Sequence, residues 1–225
     1  MPQVFFDSMS QSQQWSVFDI SPLIHENLAV FPGDTPFKSE FLMQTAAGDH
    51  LTLSKFSGTV HLGAHTDAPN HYARDKESIA ERSLHYYMGD AQVIDTLVAR
   101  GSRVRVRDIE HKKIIAPRVL FRTMSFPDPD QWTNDFSALS AEVIHWLADR
   151  GVILVGIDTP SIDLAADKAL ESHTAVHQKN MAILEGIVLN QVPEGVYELL
   201  ALPLKIKNAD ASPVRAILRK PHDRK

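Results

Sequence analysis

The stretch TVHLGAHTDAPNHY, residues 59–72, places His61, His65, Asp67 and His71 at odd positions within eleven residues. In an extended strand, alternate side chains share a face, so His61, Gly63, His65 and Asp67 point one way while Leu62, Ala64 and Thr66 point the other. A helix would pair His61 with His65 through i,i+4 spacing but turn Asp67 away, and Gly63 and Pro69 both weaken that reading. The pattern therefore predicts a strand with its ligand-type groups on one face. Gly63, without a side chain, is expected to leave space there for an ion and a water. Pro69 is expected to end the ladder and let His71 swing toward the same pocket. In the bland alternative the four groups are separately satisfied histidines and a carboxylate, in a chain that has 11 histidines; it accounts for fewer of these residues.

Four such side chains together suit a metal ion, and the composition narrows what else could hold one. The chain has no cysteine, which excludes disulfides and thiolate sites and leaves imidazole and carboxylate ligands. Two divalent ions side by side would repel strongly, so Asp67 alone could not balance them. A second acid is offered by Glu185, embedded in the apolar run ILEGIVL, where an ionised carboxylate is costly unless a cation meets it. His173, twelve residues before Glu185, or His177 could complete a second coordination sphere, and spacing alone does not choose between them.

Around these segments, 225 residues with 44% hydrophobic content can bury one sizeable core. We expect a single α/β domain over residues 15–219, a polar lead-in over 1–14 (with QSQQ at 11–14) and a charged tail over 220–225. A formal charge of -5 with interspersed signs offers no basic stripe, which argues against a nucleic-acid partner. The start MPQVFFDSMSQSQQW has neither the basic beginning nor the apolar centre of a secretory leader, and no apolar run approaches the roughly 20 residues of a membrane span. The expected compartment is the cytoplasm, without membrane association.

Strand-like runs occur at VFDI (17–20), LTLSKF (51–56), AQVIDTLV (91–98), RVLFRT (118–123), VILVGID (152–158) and YELLALPL (197–204). SAEVIHWLADRG predicts a helix with Ser140 as N-cap and Gly151 just past its end, feeding directly into VILVGID. A second helix is expected over 173–184, HTAVHQKNMAIL. The alternating RVRVR at 103–107 reads as a solvated strand edge. His85, Tyr86 and Tyr87 read as packing groups. Ser161 lacks a G-x-S-x-G setting and is not expected to be a nucleophile.

HLGAHTDAPNH resembles the HxGTHxDxPxH signature of the cyclase family of metal-dependent hydrolases, with Ala64 in place of the usual threonine. Within that family, FPGDTPF (31–37), GIDTPSID (156–163), ILEGIVL, VPEGVYELLALPLKI and ADASPVRAIL resemble the bacterial kynurenine formamidase branch, so the likeness runs from Trp15 to Leu218. The resemblance implies a swivelling β/β/α single domain, with a mixed central sheet or small barrel and surrounding helices. It also implies a homodimer, a small-molecule arylformamide substrate, and hydrolysis of N-formyl-L-kynurenine to L-kynurenine and formate in tryptophan degradation.

Carried over by position, His61 and His65 would bind a first zinc, Asp67 and Glu185 would bridge two zinc ions, and His173 would bind the second. The hydroxide would come from that centre, His71 would be the acid/base residue, and His177 becomes a solvated helix residue. Manganese, cobalt or iron suit the same ligands. Phe31 stands where that branch has a tryptophan lining the substrate pocket, which keeps an aromatic surface but removes the indole donor. Two other expectations compete with this one: a hydrolase of the same family acting on another amide or cyclic imide, such as isatin, and a non-catalytic metal-binding protein.

Overall fold

The computed structural model describes residues 17–220. The expected lead-in, and all but the first residue of the expected tail, lie outside the described residues. Strands run over β1 (Val17–Asp19), β2 (Lys38–Met43), β3 (Leu53–Ser57), β4 (His65–Asp67), β5 (Met88–Asp95), β6 (Arg103–Val104), β7 (Arg118–Arg122), β8 (Ala138–Leu139), β9 (Leu154–Ile157), β10 (Ala182–Leu184), β11 (Gly195–Leu200), β12 (Ala211–Pro213) and β13 (Ile217–Arg219). Helices are α1 (Pro69–Tyr72), α2 (Val106–Ile109), α3 (Ala141–Ala148) and α4 (Glu171–Gln178).

Seven strands form one curled, mixed sheet in the order β1-β13-β11-β5-β7-β9-β10. The first four neighbours pair antiparallel, and β5, β7, β9 and β10 pair parallel. Residues of the parallel strands are buried on both faces, which is why their sequences are continuously apolar rather than alternating. The period of two still sorts them: Val93, Leu120, Leu154 and Leu184 join one core with Tyr87, Tyr197 and Leu199. Ile94, Val119, Phe121, Val155 and Ile183 join the other, against Val143, Ile144 and Leu147 of α3 and Val176 of α4. The expected mixed α/β architecture is present.

β4 lies across the first face. It pairs with β12 on one side, with Asp67 opposite Ala211, and on the other side His65 exchanges backbone hydrogen bonds with Glu185 at 3.0 and 2.9 Å. The segment carrying the histidines is thereby fastened to the residue that follows β10.

Three expectations need correction. The helix expected over 173–184 is only its first part: α4 ends at Gln178, Asn180 takes a left-handed φ of 51°, and Ala182–Leu184 is β10 beside β9. A short apolar run after a left-handed residue gains more from pairing in the sheet than from extending an amphipathic helix. The RVRVR segment is not a solvated edge, because Val104 enters the core, Arg103 is largely covered and Val106 begins α2. The strand expected at 197–204 ends at Leu200. By contrast, Ser140 caps α3 as expected, its Oγ accepting from Val143 N at 3.3 Å.

Candidate metal centre

Only His65–Asp67 of the histidine stretch is extended; residues 61–64 are irregular. The cause is Gly63, whose φ of +57° turns the chain. A side chain at Gly63 would meet Pro22 and Leu28 rather than the space beside the histidines, so its function is this turn and not room for an ion. His61 therefore reaches the centre from a loop, His65 and Asp67 from β4, and His71 from α1, where Pro69 occupies the first helical position. His173 comes from the first turn of α4 and Glu185 from the residue after β10.

These side chains converge. Asp67 Oδ1 lies 3.1 Å from His61 Nδ1 and 3.5 Å from His65 Nε2, and Oδ2 lies 3.4 Å from His173 Nε2. Glu185 repeats the arrangement, with Oε2 3.3 Å from His65 Nε2 and Oε1 3.6 Å from His173 Nε2. Each carboxylate thus spans from the His65 side to the His173 side. Both oxygens of Asp67 are buried without a hydrogen-bond partner, an arrangement that is costly for a carboxylate unless a cation meets it. Donor atoms held by one zinc at roughly 2.0–2.1 Å lie roughly 3.3 Å apart at tetrahedral angles, so these separations and the orphaned carboxylate fit a metal.

The ring nitrogens turned away from the centre have their own partners. His65 Nδ1 donates to Gly63 O at 2.9 Å and His173 Nδ1 donates to Asp163 Oδ2 at 2.8 Å, which leaves each Nε2 lone pair facing the carboxylates. Asp210 Oδ2 receives both His61 Nε2 at 3.1 Å and His71 Nδ1 at 3.3 Å. His61, Asp67 and His71 can also bring one donor atom each within 4.8 Å of one another, so geometry alone allows His71 to be a ligand.

Without a metal, the centre holds protons instead. Burial disfavours the charged form of His61, but the close carboxylate of Asp67, and that of Asp210 to which the ring is hydrogen-bonded, outweigh it and push its pKa up to about 9. Burial likewise opposes the charge on His173, and Asp163, Asp67 and Glu185 push its pKa up to about 10. Asp67, though fully buried, is held well below the usual carboxylate range by His173 and His61. These are the responses of two imidazoles to an excess of fixed negative charge.

The centre forms the floor of a cavity of about 440 Å³. Phe31, Phe126 and Trp132 make an aromatic wall, with Phe31 and Trp132 edge to face at 5.0 Å. Trp132 restores an indole to this wall, but its Nε1 donates to Asn134 at 2.7 Å. Asp158 also lines the cavity; burial raises its pKa although Thr123 N, Thr123 Oγ1 and Met124 N donate to it.

Residues 18–164 match the family model described as "Putative cyclase". The kynurenine formamidase of Bordetella petrii is 43% identical over 204 residues, which are 90% of this chain and 97% of that one. The chain belongs to the cyclase family. Among solved structures, a potential metal-dependent hydrolase with cyclase activity superposes with a TM-score of 0.81 at 26% identity, covering 93% of this chain and 100% of that one. Isatin hydrolase A from Ralstonia solanacearum gives 0.77 at 26% identity, with 92% of each chain covered.

All seven residues singled out in the sequence of this cyclase-family chain border one site: His61, His65, Asp67, His173 and Glu185 converge, while His71 and Phe31 line the same cavity. His177 is half-buried against Tyr72, with ring centroids 6.3 Å apart, rather than solvated. Tyr87 is buried and Arg82 covers Tyr86 at 3.9 Å, as packing groups would be. Sequence reasoning missed Asp163, Asp210, Arg103 and Trp132. Asp163 and Asp210 lie within GIDTPSID and ADASPVRAIL, so a signal for them existed only as likeness to a family.

Proposed function

We propose that this protein hydrolyses N-formyl-L-kynurenine to L-kynurenine and formate, using two zinc ions held by His61, His65, Asp67, His173 and Glu185. The chain is a hydrolase acting on C–N bonds, and the arylformamide is the finer reading. One observation carries it: two buried carboxylates each span between histidines on opposite sides, at the floor of a cavity walled by aromatic rings. When bound, zinc supplies Lewis-acid polarisation and brings the pKa of water toward about 7.

The chain's own residues do the rest. Phe31 and Trp132 face the flat ring of a formanilide and fix its plane. Asp210 is a carboxylate and accepts from His71, which places that proton on Nδ1 and leaves Nε2 to carry the exchanging one. Water adds to the formyl carbon as His71 takes up the proton it loses, and the C–N bond then breaks with its electron pair leaving on nitrogen. His71 supplies the proton that nitrogen needs to depart as an amine. The apolar walls formed by Leu28, Val30, Leu164 and Ile187 limit competing water.

The reading includes a homodimer in the cytoplasm. In its support, the β2–β3 hairpin exposes Phe41, Leu42, Leu53 and Phe56, more apolar surface than an isolated two-stranded hairpin carries comfortably in water. Among the described residues, no helix is long and apolar enough to cross a membrane.

The test is turnover of N-formyl-L-kynurenine and of isatin by metal-replete and chelator-stripped protein. Faster turnover of the formamide, lost on stripping and restored by zinc, supports the proposal. Preference for isatin would transfer the site to cyclic amides, and an unchanged stripped enzyme would remove the metal from the reaction.

A further inference from the structure

We propose that Arg103 is a positioning residue for the metal centre, acting through Asp163 on His173 and through Asp167 on the cavity wall. This rests on the metal-centre reading above but not on the identity of the substrate. Arg103 sits on β6, and its largely covered guanidinium is a fork whose two arms each reach a carboxylate. Nη1 donates to Asp163 Oδ1 at 2.7 Å, to Leu139 O at 2.5 Å and to Ser172 Oγ at 3.2 Å. Nη2 donates to Asp167, which lines the cavity.

Asp163 is the hub. Leu170 begins α4 with a left-handed φ of 50° and offers no side-chain cap, so the first-turn amides need another acceptor. Asp163 is that acceptor, taking Ser172 N and His173 N at 3.1 Å, and its Oδ2 also receives His173 Nδ1 at 2.8 Å. The same carboxylate therefore fixes both the backbone that carries His173 and the plane of its ring. Arg103 holds Oδ1 of that carboxylate through Nη1, and because Nη2 is tied to Asp167 the planar guanidinium cannot turn away, a two-point anchorage that a single ammonium does not provide.

If Arg103 is lost, Asp163 keeps its amides but is free to tilt, and His173 Nε2 no longer points reliably between Asp67 and Glu185. Partners of this kind are worth about 10- to 100-fold in metal affinity.

The test uses the full chain with Arg103→Lys and Arg103→Met. Zinc affinity is measured by competition with a chromophoric chelator, and the visible absorption of the cobalt-substituted protein reports ligand geometry. Arg118→Lys is the control: Arg118 is more deeply buried than Arg103 and is bonded to Tyr86 O and Asp90 O, but has no link to the centre. We expect both Arg103 variants to lose about 10- to 100-fold in zinc affinity with an altered cobalt spectrum. Arg118→Lys should lower the unfolding midpoint while leaving both at wild-type values. Should Arg103→Met fail to fold, Arg103→Lys, which keeps the charge and loses the fork, decides the matter alone.

Asp167→Asn separates the two arms, and is expected to raise KM while leaving zinc affinity unchanged. Wild-type zinc affinity and cobalt spectrum in Arg103→Lys overturn the proposal, as does an equal loss in Arg118→Lys. A wild-type protein that binds neither ion overturns the centre itself, a result distinct from either of these.

Discussion

Gly186 and Gly63 touch backbone to backbone: a Cβ on Gly186 would lie 2.2 Å from the carbonyl oxygen of Gly63. That oxygen also receives Nδ1 of His65, so the contact links the residue after Glu185 to the orientation of a histidine in the centre. Gly186→Ala would push this carbonyl away and strain a left-handed residue, at φ +65°. We expect a loss of roughly 2–4 kcal/mol in stability, together with weaker zinc binding. Gly48→Ala is the comparison, left-handed but with open space around it, and should cost roughly 1 kcal/mol with zinc binding unchanged. Urea titrations and chelator competition read the two effects separately.

The raised imidazoles predict proton release when a metal binds. His61 and His173, pushed up to about 9 and about 10, both hold protons at pH 7, whereas metal ligation needs neutral rings. Binding at pH 7 should therefore release about two protons, one from each ring, and affinity should rise with pH until about pH 10. Calorimetry in two buffers of different ionisation enthalpy counts these protons; a buffer-independent heat would contradict the assignment.

The same groups set the pH range of the metal-free fold. A histidine whose folded pKa exceeds 6.5 contributes stability that is complete below 6.5 and lost as pH rises through about 9 to 10. Asp67 and Asp163 are depressed below 3.8, so their contribution is present above that value and lost as pH falls. Metal-free protein should be most stable between about pH 4 and 6.5, and zinc should add most above it. Denaturant midpoints across pH, with and without zinc, test this directly.

Much of the centre was legible because its donors cluster locally: four of its residues fall within eleven, and an acid inside an apolar run asks for a cation. What sequence could not show is long-range pairing. Asp210 meets His61 across 149 positions, and Arg103 meets Asp163 across 60. Alternation says which face a residue takes but not what arrives opposite it. That is why Arg103 resembled part of a solvated edge and nothing in the sequence pointed to Trp132. The strand reading was right for His65 and Asp67 and failed at His61, because a glycine in a strand-like pattern signals a turn as readily as a gap. The apolar MAIL segment resembled the end of a helix, since a run of four cannot distinguish a buried strand from a buried helical turn.

Phe31 is 41% exposed and contributes little to the core, yet it contacts Trp132 edge to face. Phe31→Ala should leave the unfolding midpoint nearly unchanged. An aromatic contact of about 0.5–1.5 kcal/mol converts to a KM for the arylformamide raised about 2- to 10-fold. A small formamide without a ring should show no such change. An equal rise for both substrates would mean that residue 31 shapes the cavity entrance rather than the ring site.

Replacing His71 distinguishes a proton carrier from a metal ligand. It is partly exposed, contacts Asp210, and lies with its ring 4.3 Å from that of His61, close enough that a ligand role must be tested rather than assumed. As a proton carrier, His71→Ala should keep normal zinc content and lose about 10²- to 10⁴-fold in turnover. Asp67→Ala and Glu185→Ala should lose both metal and activity, because the first removes a carboxylate that faces three histidines and the second one that faces two. Leaving-group dependence gives a second readout. A formanilide with an electron-withdrawing ring substituent departs with less need of a proton, so the His71→Ala defect should shrink on it, while a ligand defect would be the same for every substrate. Zinc loss in His71→Ala, measured by elemental analysis, with an equal deficit on both substrates would move His71 into the coordination sphere and leave Asp210 holding two ligands.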